Sequence, residues 1–167
     1  HCISSAASDV YKRQTAYYEH FQSLLCCKEL EQLLEQQDYR LVFYPHVEMQ
    51  KDSRRFKSGS DRITIVSKET HDVQELLMDC ALLVTDYSSV FFDVAFLRKP
   101  VVYYQFDEEE FRKYHYQKGY FDFRRDGFGP VCTTQEALLE ALTESFENGM
   151  EMQTEYAQRT ERFFPLH

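Results

Sequence analysis

The sequence predicts an α/β domain with a mostly parallel sheet. Four short apolar runs, Arg40–Tyr44, Ile63–Val66, Ala81–Val84 and Val101–Tyr104, each have the length of a strand. Segments with helical spacing of apolar residues lie between the later runs, and strands alternating with short helices favour parallel pairing through crossovers. A chain of 167 residues is also long enough to bury the core of one compact domain.

Taken in order, Tyr17, Phe21, Leu24 and Leu25 repeat at helical spacing, and Leu30, Leu33 and Leu34 do so again. Two helices, or one bent helix, are expected over residues 15–37. The first strand, Arg40–Tyr44, stops at Pro45 and is followed at once by His46. Residues 50–61 are polar, carry Lys51, Arg54, Arg55 and Lys57, and read as a solvated loop. Ile63–Val66 is the second strand. Val73, Leu76 and Leu77 mark a short helix with Asp72 at its start. Ala81–Val84 is the third strand, and the run from Ser88 to Arg98 reads as a helix ended by Pro100.

Val101–Tyr104 is the fourth strand. Beyond it, residues 107–122 are aromatic, mixed in charge and without period, so a loop over the sheet edge is expected. Gly127, Gly129 and Pro130 punctuate its end. Val131-Cys132 reads as a last short strand. Thr133 with Glu136 has capping-box spacing for a helix bearing Leu138, Leu139, Leu142 and Phe146, which Asn148-Gly149 stops. Residues 151–164 form a final helix.

Composition removes several function classes. The net charge is -9, which argues against a protein that coats nucleic acid. No run approaches the roughly 18 apolar residues of a membrane span. The five cysteines form no C-x-x-C pair, and their odd, scattered pattern fits reduced thiols in a cytoplasmic protein, with Cys80 and Cys132 as small buried hydrophobes. His46, His71 and His115 have no metal-ligand spacing, and no zinc pattern is present. Neither a dinucleotide-binding glycine motif, a P-loop nor a G-x-S-x-G elbow occurs. No metal or cofactor is expected.

Two stretches of the chain invite exclusion or extension. The chain starts at His1, and residues 1–14 show no apolar period, so they are expected to be a non-native or disordered tail. Residues 15–167 are then expected to be part of a longer protein, truncated at both ends.

One stretch carries the strongest chemical signal. Thr85-Asp86-Tyr87-Ser88-Ser89 places three hydroxyl-bearing aliphatic residues directly after an apolar strand and before an apolar helix. Ligands of parallel sheets sit outside the carboxyl ends of the strands, where helix N-termini and hydroxyls hold anions. Capping by Asp86 or Ser88 is the plain alternative, and it accounts for one such residue rather than three. Asp93 is the lone carboxylate within the apolar run 90–97. It needs either a local partner such as Arg98 or an exit to a polar cleft. His46 also follows a strand end and is expected to share one crevice with the 85–89 turn.

These residues resemble a known family. Leu83–Val90, Phe92-Asp93, Lys99-Pro100, Tyr103–Asp107, Gly119–Asp122 and Gly127–Pro130 are similar to the CDP-glycerol glycerophosphotransferases of teichoic acid synthesis. Pro45-His46 sits where that family has a histidine beside a proline, in the inverse of the commoner order. The resemblance runs from about residue 15 to the end.

It implies the C-terminal, nucleotide-binding half of a GT-B fold, a Rossmann-like parallel sheet with helices on both faces. It further implies a CDP-glycerol or CDP-ribitol donor, held by Thr85, Asp86, Ser88 and Ser89 with His46 near the phosphates and Asp93 shaping the site. The acceptor would be a lipid-linked polyol phosphate, at the cytoplasmic face of the cell membrane, reached through parts of the protein outside this chain. The general base is expected in the N-terminal half. Two other classes stay open on the residues alone: a GT-B glycosyltransferase using a nucleotide sugar, and a nucleotide-binding module without chemistry.

Overall fold

A computed structural model describes residues 2–115 and 121–164. The chain divides into two compact units, His1–Val73 and Gln74–His167.

In the first unit, helix α1 (Cys2–Leu25) is followed by α2 (Lys28–Gln37), strand β1 (Leu41–Phe43), a 3-10 helix (Val47–Arg55) and strand β2 (Ile63–Ile65). Residues 9–13 of α1 are exposed, which agrees with their lack of apolar period, whereas Phe21, Leu24 and Leu25 are buried. Helix α2 ends on Asp38 at φ 56, and the Tyr39 N–H returns to the Leu34 carbonyl at 3.0 Å, a left-handed cap that Asp tolerates. β1 and β2 pair in parallel with Leu41 opposite Ile63 and Phe43 opposite Ile65.

The polar stretch after β1 is more ordered than its composition implies. Met49 and Phe56 are each 2% exposed, and the Phe56 ring packs on Phe43 at 4.9 Å between centroids. Met49 and Phe56, with the buried Gln50 amide accepting the Lys68 N–H at 3.0 Å, hold a 3-10 segment that is otherwise polar and kinks at Asp52.

The second unit holds the longer sheet. Helix α3 (Val73–Asp79) leads to strand β3 (Leu83–Thr85), the short helix α4 (Phe91–Phe96) and strand β4 (Val101–Tyr104). Helices α5 (Glu108–His115) and α6 (Phe123–Asp126) follow, then β5 (Val131–Cys132), α7 (Gln135–Glu147) and α8 (Thr154–Phe163). The strand order is β3-β4-β5, all parallel, with Thr85 opposite Tyr103 and Tyr104 opposite Cys132. All four residues of β4 are buried, as a central parallel strand requires. Helix α7 is capped by Thr134, whose hydroxyl accepts the Ala137 N–H at 3.1 Å, one residue beyond the expected Thr133.

An aromatic core fills the space between β4 and its helices. Phe91 meets Tyr103 edge-on at 5.1 Å, and Phe123 meets Tyr103 at 5.2 Å. The Tyr103 hydroxyl accepts the Phe128 N–H at 3.2 Å, so a buried phenol is satisfied inside the core, and burial pushes its pKa up. Gly129 lies so close to β4 that an added Cβ would stand 1.6 Å from the Val101 carbonyl oxygen. The Gly127–Pro130 run is thus a packing element as well as a turn.

Two expectations are corrected here. Residues 107–122 were expected to form a loop, but helix α5 occupies most of the described part of that region and α6 starts directly after it; residues 116–120, which include Gly119 and Tyr120 of the Gly119–Asp122 motif, lie outside the described residues. The expected helix from Ser88 to Arg98 is six residues long, Phe91–Phe96.

Candidate functional site

The 85–89 turn leaves the carboxyl end of β3, where β3 pairs with the central strand β4. Thr85 ends the strand and is buried, Asp86 and Ser88 are half-buried, and Ser89 is exposed. The Asp86 carboxylate accepts the Ser88 N–H at 3.2 Å, a turn closed by its own side chain. The residue before α4 is Val90, with no side-chain cap. Neither Asp86 nor Ser88 therefore caps that helix.

The backbone of this turn has little to offer an anion. A six-residue helix carries little dipole, and the Ser88 amide is already bonded to Asp86. The hydroxyls supply the donors instead. Among the described residues, those of Thr85, Ser88 and Ser89 make no hydrogen bond to the protein. Three donors close in sequence at the end of a parallel strand are chemically suited to phosphate oxygens.

Asp93 is exposed. The stripe of α4 that packs inward is Phe91, Val94 and Ala95, at i, i+3 and i+4, and position 93 falls off it. The buried charge that the apolar run implied does not arise, because position 93 falls on the exposed side of this short helix. Asp93 also sits in the first turn of α4.

His46 precedes the 3-10 helix of the first unit. Its Nδ1 accepts the Glu48 N–H at 3.2 Å, and its own backbone N–H donates to the Tyr17 hydroxyl at 3.0 Å. With Nδ1 as acceptor, the proton of the neutral ring sits on Nε2, which faces away from that local bond. His46 and the 85–89 turn belong to different units, and each follows the carboxyl end of a parallel strand in its own sheet.

Residues without a sequence-assigned role surround the turn. The Gln105 side chain, 1% exposed, donates to the Asp86 carbonyl at 3.1 Å. The Tyr87 hydroxyl donates to the Asp107 carboxylate at 3.0 Å, and its ring stacks on Phe111 at 3.8 Å and 14°. Burial first, then the Asp107 charge, push the Tyr87 phenol well above its ordinary range. Burial likewise raises the Asp107 carboxyl, against the Tyr87 hydrogen bond, with Asp86 and Glu110 adding like charge. The signal available in the sequence was Gln105 itself, a neutral polar residue at the end of a fully buried strand.

Cys132 is buried, and burial lifts its thiol to about 11; Cys80 is half-buried and raised for the same first cause. Neither has thiolate character. No group of three His, Cys, Asp or Glu side chains among the described residues is placed to hold a metal ion, and no described helix is long and apolar enough to cross a membrane.

Comparison with known proteins adds a family to this geometry. The model of the family CDP-Glycerol:Poly(glycerophosphate) glycerophosphotransferase matches residues 11–167. The chain is 27% identical over 152 residues to the minor teichoic acid biosynthesis protein GgaB of Bacillus subtilis (strain 168), covering 91% of this chain and 16% of that protein. It is 44% identical over 71 residues to the teichoic acid poly(glycerol phosphate) polymerase of the same strain, covering 42% of this chain and 9% of the polymerase. It therefore spans a small part of the curated relatives it matches.

Among solved structures, a variant of the wall teichoic acid polymerase TagF soaked with CDPG aligns with a TM-score of 0.55 at 17% identity, over 86% of this chain and 45% of that one. That likeness is one of fold, mixed α/β with parallel sheets in a GT-B-like protein. Since the family match covers nearly the whole sequence, the chain belongs to the CDP-glycerol:poly(glycerophosphate) glycerophosphotransferase family.

Proposed function

We propose that this chain is the donor-binding half of an enzyme that transfers glycerol phosphate from CDP-glycerol to a poly(glycerol phosphate) acceptor of teichoic acid synthesis, releasing CMP. The observation that carries the reading is the 85–89 turn. Its Thr85, Ser88 and Ser89 hydroxyls make no hydrogen bond to another described residue, and it sits at the carboxyl end of β3 in a chain of this family. In-line displacement at phosphorus asks for positioning and for neutralisation of charge on the phosphate oxygens, and hydroxyl donors fixed on a sheet edge serve both needs.

In this reading Thr85, Ser88 and Ser89 donate to the pyrophosphate. Asp86 holds the turn through the Ser88 N–H. His46, at the strand end of the first unit, has Nε2–H to offer a phosphate oxygen. Asp93, exposed at the first turn of α4, borders the donor site. The general base comes from the N-terminal half of the full-length protein, so the chain by itself binds donor without turning it over. The acceptor is a lipid-linked polyol phosphate, met at the cytoplasmic face of the membrane by a peripherally bound enzyme.

Calorimetric titration of the chain with CDP-glycerol, CDP-ribitol and UDP-sugars tests this. Saturable binding of a CDP-polyol, tighter than any UDP-sugar, is the expected result. Preference for a UDP-sugar overturns the reading in favour of a glycosyltransferase, and turnover by this chain alone overturns the placement of the base.

A further inference from the structure

We propose that Tyr87, Asp107 and Gln105 are positioning residues that hold the 85–89 turn in its donor-binding conformation; the inference rests on the reading of that turn as the phosphate site. Beyond Thr85, the last residue of β3, residues 86–90 lie outside regular structure, since α4 starts at Phe91. A five-residue link bearing donors needs external fixing, because a free turn loses its orienting entropy on every binding event.

The second unit supplies that fixing at two adjacent residues. Gln105 clamps the backbone. Its own N–H donates to the Cys132 carbonyl at 2.8 Å at the end of β5, and its side-chain amide donates to the Asp86 carbonyl at 3.1 Å. Tyr87 anchors the side chain between Asp86 and Ser88. Its hydroxyl bonds Asp107 at 3.0 Å, and its ring lies flat on Phe111 of α5 and edge-on to Phe123 of α6. Those two helices are tied together by Arg124, which donates to both carboxylate oxygens of Glu108 at 2.7 and 3.0 Å.

The division of labour follows from these contacts. With the phenol bonded to Asp107 and the ring stacked inside the unit, Tyr87 is committed to the protein. Its neighbours Ser88 and Ser89 keep their hydroxyls for a ligand. The brace therefore orients donors without touching the donor molecule.

Variants of the full chain test it with two readouts: hydrogen–deuterium exchange of a peptide spanning residues 84–92, and calorimetric affinity for CDP-glycerol. Tyr87→Phe keeps the stack and loses the hydroxyl, and Asp107→Ala loses the acceptor. Each is expected to raise exchange in that peptide and weaken binding roughly tenfold, the worth of one hydrogen bond to a charged group. Asp107→Asn retains an acceptor oxygen for the phenol and is expected to restore both readouts to within about twofold of the parent, an outcome that loss of folding alone does not give.

Unchanged exchange and affinity in Tyr87→Phe overturn the proposal, as does an Asp107→Asn variant no better than Asp107→Ala. The Ser88→Ala, Ser89→Ala double variant separates the two levels. If it binds as the parent does, or the parent does not bind, the site reading fails and this inference with it. If it is weakened while Tyr87→Phe is not, the site stands and the brace alone is refuted.

Discussion

Replacing Ser88 and Ser89 together by Ala removes donors from the proposed phosphate site with little structural consequence. Neither hydroxyl bonds another described residue, Ser89 is exposed, and the residue preceding α4 is Val90, so no helix cap is lost. The expected change in folding stability is within about 0.5 kcal/mol, the usual range for surface substitutions away from special features. The effect on binding is far larger. A hydrogen bond to a charged group is worth about 1.5–3 kcal/mol, so two of them amount to about 3–6 kcal/mol and to a loss of roughly a hundredfold to ten-thousandfold in affinity for CDP-glycerol.

Calorimetric titration at fixed ionic strength measures this, with urea denaturation confirming the fold and cytidine as a ligand without phosphates. Cytidine affinity is expected to stay the same in parent and variant. Equal CDP-glycerol affinity in both proteins, or an equal loss for cytidine, would refute the assignment of the hydroxyls to phosphate.

Three further outcomes follow from the packing. Gly129→Ala places a Cβ against the Val101 carbonyl, which is backbone of the central strand and cannot rotate away; destabilisation of about 4 kcal/mol or more is expected in urea melts, and a variant as stable as the parent would contradict the close approach. Thr134→Ala removes the N-cap of α7 and should cost about 1 kcal/mol, which Thr134→Ser should largely recover. Asp107 has a raised carboxyl pKa, by burial first, so the native state holds its proton more readily than the unfolded chain does. Its contribution to stability is then present below about pH 4 and is lost as pH rises through the folded pKa. Asp107→Asn removes that slope, and its urea midpoint should gain on the parent between pH 4 and pH 7; a constant gap would show that the carboxyl is not raised.

The parallel α/β class was legible because its signals are local. Apolar runs of strand length announce themselves within a few residues: β1, β2, β4 and β5 fall inside the runs read as strands, and β3 overlaps its run but ends one residue later, at Thr85. Helices α5 and α6 were not legible. α5 opens with Glu108, Glu109 and Glu110, and it is held by a Tyr87 ring that precedes it by about twenty residues, a contact no periodicity window contains. The 3-10 helix over Val47–Arg55 was hidden for a related reason, since its apolar anchors, Met49 and Phe56, and the buried amide of Gln50 are set in otherwise polar sequence.

The proposed site divides along the same line, and that division bears on which residues a variant study should reach first. Residues that present donors, Thr85, Ser88 and Ser89, cluster in sequence because one turn carries them all. Residues that hold the turn come from the next strand end, at Gln105 and Asp107, and only the pairing of β3 with β4 brings them there. Asp93 illustrates the converse error. A carboxylate within an apolar run signals a buried charge if the helix is long and enclosed, but α4 makes fewer than two turns and leaves position 93 in water. Adjacency in sequence thus overstates Asp93 and hides Gln105. A scan guided by the 85–97 stretch alone would test a solvated carboxylate and pass over the buried amide that fixes the Asp86 carbonyl.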